Sequence, residues 1–368
     1  MITTDTIYYI ALQYLPNFGS IFIRSLLEKF GTAEAIFKAK KRELYSIERL
    51  GEARIKDVLN AKKYLTAAEK ELKYVQNNNI LAWGLLEDGY PFKLKQCPDA
   101  PSIIFFKGSL NLDNLRCISI VGTRSPTPYG KWVIEKFMDE IPKQNLCIIS
   151  GLAYGIDGIV HKLCLKYNIP SIGVLGHGLK NLYPPEHYTI AQDLQNNGGL
   201  LTEFLSDVPP DKFNFPKRNR IVAGLSDATI VVETAVKGGS MITAELAYDY
   251  NRDVFAFPGR MNDQKSVGCN KLICDNKAYL LKDAQHFIET MNWNIKSNNT
   301  YIQKSLFQDL NDQELKMSNL LKDNTILSFD ELAFKTELTP SKLSELLLEL
   351  ELKGLIKMLP GKRVQWVL

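Results

Sequence analysis

Between residues 115 and 285, short apolar segments alternate regularly with longer amphipathic segments, and this alternation constrains the fold more than any other feature. The apolar segments are rich in β-branched residues and are nearly continuous, which is typical of strands buried on both faces. Strands of this kind that are separated by helices form a parallel sheet with helices on both sides. The predicted strands are 117–122, 146–150, 171–176, 199–204, 228–233, 253–257 and 278–281. The predicted helices are 128–141, 157–167, 187–196, 217–225, 240–250 and 282–291.

This pattern predicts an α/β fold class with a Rossmann-like, doubly wound and mostly parallel sheet. Two further apolar segments, 80–83 and 103–106, are predicted to extend one edge of the sheet. Sheets of this type bind their ligands outside the carboxyl ends of the strands. The loops that follow the strands are therefore the first candidates for a functional site.

Residues 1–75 follow a helical pattern that is interrupted by two similar turns, at 15–19 and 47–54. Each turn has the outline of a helix-hairpin-helix, a motif whose backbone N–H groups can hold DNA phosphates. The alternative is a helical packing module with glycine turns. The packing module is favoured, because both turns lack the second glycine of a complete hairpin.

At the other end, residues 308–368 are predicted to form a helix-turn-helix followed by a strand hairpin around 360–361, which is the order of a winged helix. Its predicted recognition helix carries Glu345, Glu349 and Glu351, and carboxylates have the wrong sign for a DNA groove. A role in protein contact or packing fits this helix at least as well. With a polar linker before it, the predicted divisions of the chain are 1–75, 76–291, 292–307 (linker) and 308–368.

Composition excludes several classes of protein. The net charge of +4 over 368 residues is too small for a general affinity for polyanions, so any basic surface must be local. The six cysteines have no paired metal-ligand spacing, and no metal or cofactor site is predicted. The cysteines are expected to be reduced thiols. The sequence has no predicted signal peptide and no apolar run long enough to span a bilayer, so a cytoplasmic protein outside the membrane is predicted.

The first predicted strand of the alternating region ends in a turn that suits an anion. The strand stops at Gly122, and Thr127 is a predicted N-cap for the helix that follows. Backbone N–H groups in such a turn point outward at the positive end of a helix dipole. Thr123 adds a hydroxyl and Arg124 adds a planar guanidinium that matches a phosphate. The turn is neither a dinucleotide fingerprint nor a P-loop.

A second stretch, 212–220, combines positive charge with aromatic rings at the same edge of the predicted sheet. Cations neutralise phosphates, and a base stacked on an aromatic ring contributes about 1–3 kcal/mol. The alternative is a solvated loop whose rings enter the core. Binding of nucleic acid is favoured, because both groups coincide where the fold places ligands. The cations are Lys212, Lys217, Arg218 and Arg220, and the other polar or aromatic members are Phe213, Asn214, Phe215 and Asn219.

Two further loops follow predicted strands. In 236–245, Gly238 and Gly239 permit close approach of a ligand, and Ser240 is predicted to cap a helix or to donate to a phosphate. In 150–161, Asp157 and His161 are one helical turn apart, which allows an acid–base pair. A helix cap plus a half-buried histidine is the favoured interpretation, and no catalytic residue is predicted.

Seven blocks of the middle region resemble, in order, the DprA/Smf family of DNA-processing proteins: 121–124, 150–161, 174–184, 215–226, 239–244, 254–259 and 266–273. The resemblance implies an N-terminal SAM-like helical domain and a C-terminal winged helix. It also implies a cytoplasmic protein that binds single-stranded DNA during natural transformation, protects it and loads the recombinase RecA. Members of the family are similar in forming dimers through the Rossmann-like domain.

The resemblance also assigns roles within the site. It implies that Arg124 grips a phosphate, that Lys212 neutralises the backbone and that Phe215 contacts or stacks a base. It also implies that Arg218 and Arg220 line the pocket and that Thr123, Asn219 and Ser240 donate hydrogen bonds. Lys217 and Gly239 complete the predicted DNA-binding set.

Two alternative functions follow from single features of the sequence. Gly238, Gly239 and Glu245 match the frame of a nucleoside-phosphate hydrolase of the LOG or lysine-decarboxylase-like group. In this chain, Met241 and Ile242 replace the glycine and threonine of that frame, so bulky side chains oppose the approach of a ribose phosphate. A transcription factor that acts through the winged helix is disfavoured by its acidic recognition helix. The chain is therefore predicted not to be an enzyme.

Overall fold

The computed structural model describes residues 3–47, 50–110, 115–293, 312–322, 326–336, 338–353, 355–359 and 363–366. The chain forms two compact units, Met1–Trp293 and Asn294–Leu368. Most of the predicted linker, 294–307, lies outside the described residues. No described helix is both long and apolar enough to cross a membrane.

The first unit begins with six helices that pack on the sheet. Tyr9, Leu26 and Leu27 are buried in one hydrophobic core that continues to Phe105 and Phe106 of the sheet. The N-terminal helices and the sheet thus share one core. The predicted domain boundary at residue 75 stays a prediction. The helices are α1 (Thr6–Gln13), α2 (Ser20–Phe30), α3 (Ala33–Lys38), α4 (Lys41–Tyr45), α5 (Glu52–Leu59) and α6 (Ala61–Asn77).

The first predicted hairpin turn lies between α1 and α2. Asn17 has a left-handed backbone with φ of 63°, so asparagine adopts there the conformation that usually selects glycine. In the second turn, residues 48 and 49 lie outside the described part of the chain.

A nine-stranded sheet forms the centre of this unit, with the order β1-β2-β6-β5-β4-β3-β7-β8-β9. The pairs from β6 through β9 in this order are parallel, whereas β1 and β2 are antiparallel to their neighbours. The predicted fold class and the extended sheet edge are therefore confirmed. The strands are β1 (Leu81–Gly84), β2 (Ile103–Gly108), β3 (Arg116–Val121), β4 (Leu146–Ser150), β5 (Ser171–Val174), β6 (Gly198–Thr202), β7 (Ala228–Val231), β8 (Asp253–Ala256) and β9 (Tyr279–Leu280).

Eight helices accompany the sheet: α7 (Phe92–Lys95), α8 (Pro128–Glu140), α9 (Ile156–Tyr167), α10 (Tyr188–Leu194), α11 (Asn214–Gly224), α12 (Gly239–Asp249), α13 (Val267–Cys274) and α14 (Ala284–Thr290). Helix α13 was not predicted, because a glycine and an asparagine lower its helix propensity. Burial of Cys269 and Leu272 in the core stabilises it instead. Helix α11 begins three residues before its predicted start, so Phe215 lies on a helix.

The second unit has the predicted winged-helix order. It contains α15 (Asp312–Lys322), α16 (Phe329–Thr336), α17 (Pro340–Leu352) and the strands β10 (Ile326–Ser328), β11 (Ile356–Leu359) and β12 (Arg363–Trp366). The predicted hairpin pairs β11 with β12, while its turn at 360–361 lies outside the described residues. The backbone N–H of Glu331 bonds to the Ser328 hydroxyl, and the Glu331 carboxylate accepts from the Ser328 N–H, so the two residues form a capping box at the start of α16.

Candidate nucleic-acid interface

An open cleft of about 1160 Å³ lies at the carboxyl ends of β3, β4 and β7. The chain winds outward from β3 through β4 on one side and from β7 through β8 on the other, so the cleft is at the switch point of the sheet. Its lining includes most of the predicted site residues, from three separate stretches of the chain: Thr123, Arg124, Lys212, Phe215, Arg218, Asn219, Gly239 and Ser240.

The turn after β3 is held by Glu233, which follows β7. The Glu233 backbone carbonyl accepts a hydrogen bond from the Thr123 N–H at 2.7 Å. Its buried carboxylate accepts from the Thr127 N–H at 2.9 Å and from the Thr127 hydroxyl. The Thr127 hydroxyl also accepts from Gly130, which confirms the predicted cap of α8.

This arrangement corrects one expectation. The predicted backbone anion site at the start of α8 faces the Glu233 carboxylate, so an internal anion takes the place expected for a phosphate. Arg124 is therefore the charged group of this turn that remains exposed.

Arg124 lies at the outer edge of the cleft beside an aromatic cluster. Its guanidinium carbon is 5.6 Å from the centroid of the Phe215 ring. The Phe215 ring is in turn 5.9 Å from Tyr183. In the described residues, neither Arg124 nor Lys212 forms an ion pair with a carboxylate. Arg124, Lys212 and Phe215 are called the rim of the cleft below.

A smaller recess of about 310 Å³ opens beside Arg124 and Phe215. Its other aromatic lining comes from Tyr154, His177 and Tyr183, none of which was in the predicted site. Tyr183 belongs to a block that carried the family resemblance, so a signal for it was present. Tyr154 and His177 also lie within blocks of that resemblance, and the packing of the loops after β4 and β5 brings them to the recess.

Arg218 lies beneath the rim and is only 5% exposed. One of its terminal nitrogens donates to the carbonyl oxygens of Gly151 and Val174, at the ends of β4 and β5. Burial lowers the pKa of Arg218 to about 10, and the nearby Asp157 opposes this change, so the guanidinium stays charged at neutral pH.

Asp157 belongs to the same buried group. Its carboxylate accepts from the Gly151 N–H at 3.1 Å and the Ala153 N–H at 3.4 Å. A Cβ atom at Gly151 would lie 2.6 Å from both the Arg218 guanidinium and the Asp157 carboxylate, so only glycine fits between them. Burial raises the pKa of Asp157, and Arg218 offsets part of that rise. Gly151, Asp157 and Arg218 are called the floor of the cleft below.

The 150–161 prediction needs two corrections. Gly155 is the N-cap of α9, and Asp157 lies in its first turn, where its carboxylate bonds the preceding loop. His161 is fully buried rather than half-buried, and its Nδ1 lies 2.9 Å from the Ser171 hydroxyl. Burial, with a smaller contribution from His187 and Arg218, lowers the pKa of His161 to about 3.

Helix α11 divides the second basic stretch between two surfaces. Toward the cleft, the Asn219 amide donates to the Gly239 carbonyl at 3.2 Å and so links α11 to α12. On another side, Arg220 forms an ion pair with the buried Glu203 and donates to the Ser20 hydroxyl at 3.2 Å. Lys217 is exposed on α11, and neither Lys217 nor Arg220 is part of the cleft lining.

The start of α12 closes the cleft on the β7 side. Gly239 has open space around its Cα, and Ser240 is mostly buried against the cleft. Met241 is buried in the core, whereas Ile242 is 39% exposed and lines the cleft. The two residues that distinguish this turn from the hydrolase frame therefore have different roles, one in packing and one in the site.

Comparison of the sequence with known protein families identifies the family of this chain. Residues 82–292 match the family described as DNA recombination-mediator protein A, and residues 308–362 match the DprA winged helix domain. This chain belongs to the DprA family. The match covers the whole cleft, including the loops after β3, β6 and β7.

Members of this family from several bacteria are similar to the chain over most of its length. Protein Smf of Escherichia coli is 35% identical over 280 residues, which is 75% of each chain. The X-ray structure of DNA processing protein A (DprA) from Streptococcus pneumoniae has a TM-score of 0.64 and 30% identity, and the alignment covers 78% of this chain and 98% of that one.

A second solved structure concerns nucleic acid directly. DNA processing protein A from Helicobacter pylori was solved to give structural insight into its single-stranded DNA binding mode. It matches this chain with a TM-score of 0.53 and 31% identity, over 58% of this chain and 96% of that one. The chain described here is thus a DNA-processing protein of the DprA family.

Proposed function

We propose that this protein binds single-stranded DNA in the cleft at the switch point of its sheet. The observation that supports the proposal most directly is the rim: two cations without carboxylate partners in the described residues, from loops far apart in sequence, beside one aromatic ring. Cations neutralise phosphates, and an aromatic face stacks any base, so this combination suits an unpaired strand of any sequence.

We assign the contacts with DNA to the residues that line the cleft, and the charge contacts to its exposed cations. Arg124 and Lys212 neutralise phosphates, and Phe215 stacks a base that lies in the cleft. Thr123, Asn219, Gly239 and Ser240 offer hydrogen-bonding groups along the cleft. Arg218 supports the carbonyl ends of β4 and β5 from below, and Lys217 and Arg220 lie outside the cleft lining.

The cellular role is proposed from family membership. The protein protects incoming single strands in the cytoplasm and loads a RecA recombinase on them during natural transformation and recombination. It acts as a homodimer formed through the Rossmann-like domain. The proposed division into an N-terminal helical domain, a DNA-binding domain and a winged helix goes with this role.

We propose no catalytic step. The buried Met241 and the cleft-lining Ile242 occupy the positions where the hydrolase frame has glycine and threonine. Incubation with nucleoside monophosphates should release no base beyond a heat-killed control, and turnover above that control would establish the hydrolase instead.

A mobility-shift titration tests DNA binding. The full chain is titrated onto a single-stranded oligonucleotide and onto the matching duplex at several salt concentrations. We expect preference for the single strand, little dependence on sequence, and an affinity that falls steeply with salt, because phosphates and stacking dominate. Equal affinity for duplex, or binding that does not respond to salt, would refute the cleft as a single-strand site.

RecA loading needs a separate test. Formation of RecA filaments on single-stranded DNA is followed with and without the protein, and Arg124→Ala serves as the binding-deficient comparison. We expect faster filament formation with the wild-type chain only. The same rate with both proteins would separate DNA binding from any action on RecA.

A further inference from the structure

The loop that delivers Lys212 to the cleft is held in place by a helix outside the DNA-binding region. This loop, residues 203–213, runs from the end of β6 to the start of α11. It contains no helix or strand, yet it must fix the position of Lys212 and of Phe215 one turn later. A loop of this kind loses conformational entropy when it is ordered, so contacts that order it before binding raise affinity.

Glu71 on α6 is the strongest such contact. Glu71 is 6% exposed, and its carboxylate is directed at Ser206 of the loop. One oxygen accepts from the Ser206 backbone N–H at 2.7 Å, and the other accepts from the Ser206 hydroxyl at 2.7 Å. A carboxylate that accepts two short hydrogen bonds from one residue fixes both the position and the orientation of that residue.

A second contact from the N-terminal helices reaches the start of the loop. Ser20, the first residue of α2, accepts a hydrogen bond from Arg220, whose guanidinium also pairs with the buried Glu203. Burial raises the pKa of Glu203, and Arg220 opposes that rise. The helices thus contact the loop directly at Ser206 and, through Arg220, are linked to its first residue, Glu203.

The sheet side adds weaker ties to the same segment. The Gly178 N–H donates to the Val208 carbonyl at 2.9 Å, and Lys180 pairs with Asp207 at 2.6 Å. The Lys180–Asp207 pair is largely exposed, so it contributes little. The buried Glu71 contact is therefore the one whose loss should free the loop most.

We propose that Glu71 is a positioning residue for single-stranded DNA binding: it orders the 203–213 loop so that Lys212 and Phe215 face the cleft before DNA arrives. This inference rests on the proposed function, and it assigns the N-terminal helices a task in that function. Glu71 itself lies outside the cleft lining.

The test compares two variants of the full chain. Glu71→Leu keeps the size of the side chain and removes both hydrogen bonds. Glu71→Gln keeps them, because its amide oxygen accepts from the Ser206 N–H and its NH₂ group donates to the hydroxyl. If the loop of Glu71→Leu adopts its binding conformation about a tenth of the time, the dissociation constant for a labelled oligothymidylate rises about tenfold. The dissociation constant of Glu71→Gln should stay near that of the wild-type chain.

Two readouts separate positioning from general structure. The salt dependence of binding should keep its slope in Glu71→Leu, since no phosphate-contacting cation is lost. Hydrogen exchange of the 203–213 amides should become faster in that variant without DNA, while the strands of the sheet stay protected. Glu69→Gln, an exposed change on the same helix, is the control and should alter neither readout.

Ser206→Ala provides a second route if Glu71→Leu fails to fold. It removes only the hydroxyl bond, and we expect about a threefold weaker complex with faster exchange of the loop. Unchanged affinity in whichever variant folds, or weaker binding with a shallower salt slope, would overturn the inference. Failure of the wild-type chain to bind the oligothymidylate would refute the proposed function instead, so the two failures are distinguishable.

Discussion

The floor and the rim of the cleft use arginine for opposite purposes. Arg218 in the floor is 5% exposed and donates to the carbonyl oxygens of Gly151 and Val174. Arg124 at the rim is exposed and lies against the face of Phe215. Both residues line the same cleft and both come from basic motifs, yet only one presents its donors to a ligand.

Position in a cleft therefore does not by itself identify a residue that contacts a ligand. A buried guanidinium must satisfy its donors within the protein, because an unpaired buried charge is costly. Its contribution then appears in the free energy of unfolding. An exposed guanidinium without a carboxylate partner contributes little to folding and remains available for phosphate. Four predictions test this division, in decreasing order of effect.

Removal of the floor arginine should have the largest effect. Arg218→Ala leaves Asp157 buried without its nearby positive charge and removes the guanidinium donor to two backbone carbonyls. We expect the free energy of unfolding in urea to fall by about 3–5 kcal/mol. A loss below about 1 kcal/mol, the size of an ordinary substitution, would show that the floor does not depend on this residue.

Removal of the rim arginine should weaken binding and leave folding intact. We expect Arg124→Ala to raise the dissociation constant for single-stranded DNA about ten- to a hundredfold, the loss of one charge-assisted contact. The slope of log affinity against log salt should become shallower by about 0.7, because one phosphate is no longer neutralised. Wild-type affinity, or a destabilised protein, would place Arg124 with the floor.

The buried histidine next to the floor should make stability depend on pH. Burial holds the pKa of His161 at about 3, below its value of about 6.5 in an unfolded chain. The unfolded state therefore takes up the proton first, so this contribution is complete above pH 6.5 and is lost as the pH falls toward 3. Between pH 7.5 and 5, we expect a loss of about 2 kcal/mol.

A titration-free variant isolates this contribution. His161→Gln has no ionisable group, so unfolding in urea at both pH values gives the difference due to His161. Asp157 has a raised pKa and shifts stability in the opposite direction, but it does so in both proteins. The same pH dependence in wild type and variant would contradict the buried, neutral histidine.

The smallest effect is expected for Lys217. It lies on the same helix as the floor arginine and is exposed, but it is outside the cleft lining. We expect Lys217→Ala to change single-strand affinity less than about twofold, as for a screened surface charge. A loss as large as that of Arg124→Ala would mean that the strand also crosses this side of α11.

Much of the fold was predictable because it depends on local pattern. The alternation of apolar and amphipathic segments predicted the sheet, and the three turns that meet at its edge followed from the fold rule for parallel strands. Helix α13 was missed, since burial of Cys269 and Leu272 outweighs a weak propensity. The winged-helix order was also predictable, because its caps and turn residues are local signals.

The sequence alone therefore determined the fold class, the family resemblance and the set of loops that meet at the cleft. Tertiary packing, by contrast, sets which residues of those loops line the cleft and which bond within the protein. The Glu233 carboxylate occupies the predicted anion site, and Arg218 is buried in the floor of the cleft. Arg220 forms an ion pair with Glu203 outside the cleft lining. The periodicity of a segment shows which of its faces is apolar. A buried charge, however, is paired with a group from a distant strand or helix, and that partner cannot be predicted from the residues next to the charge in sequence.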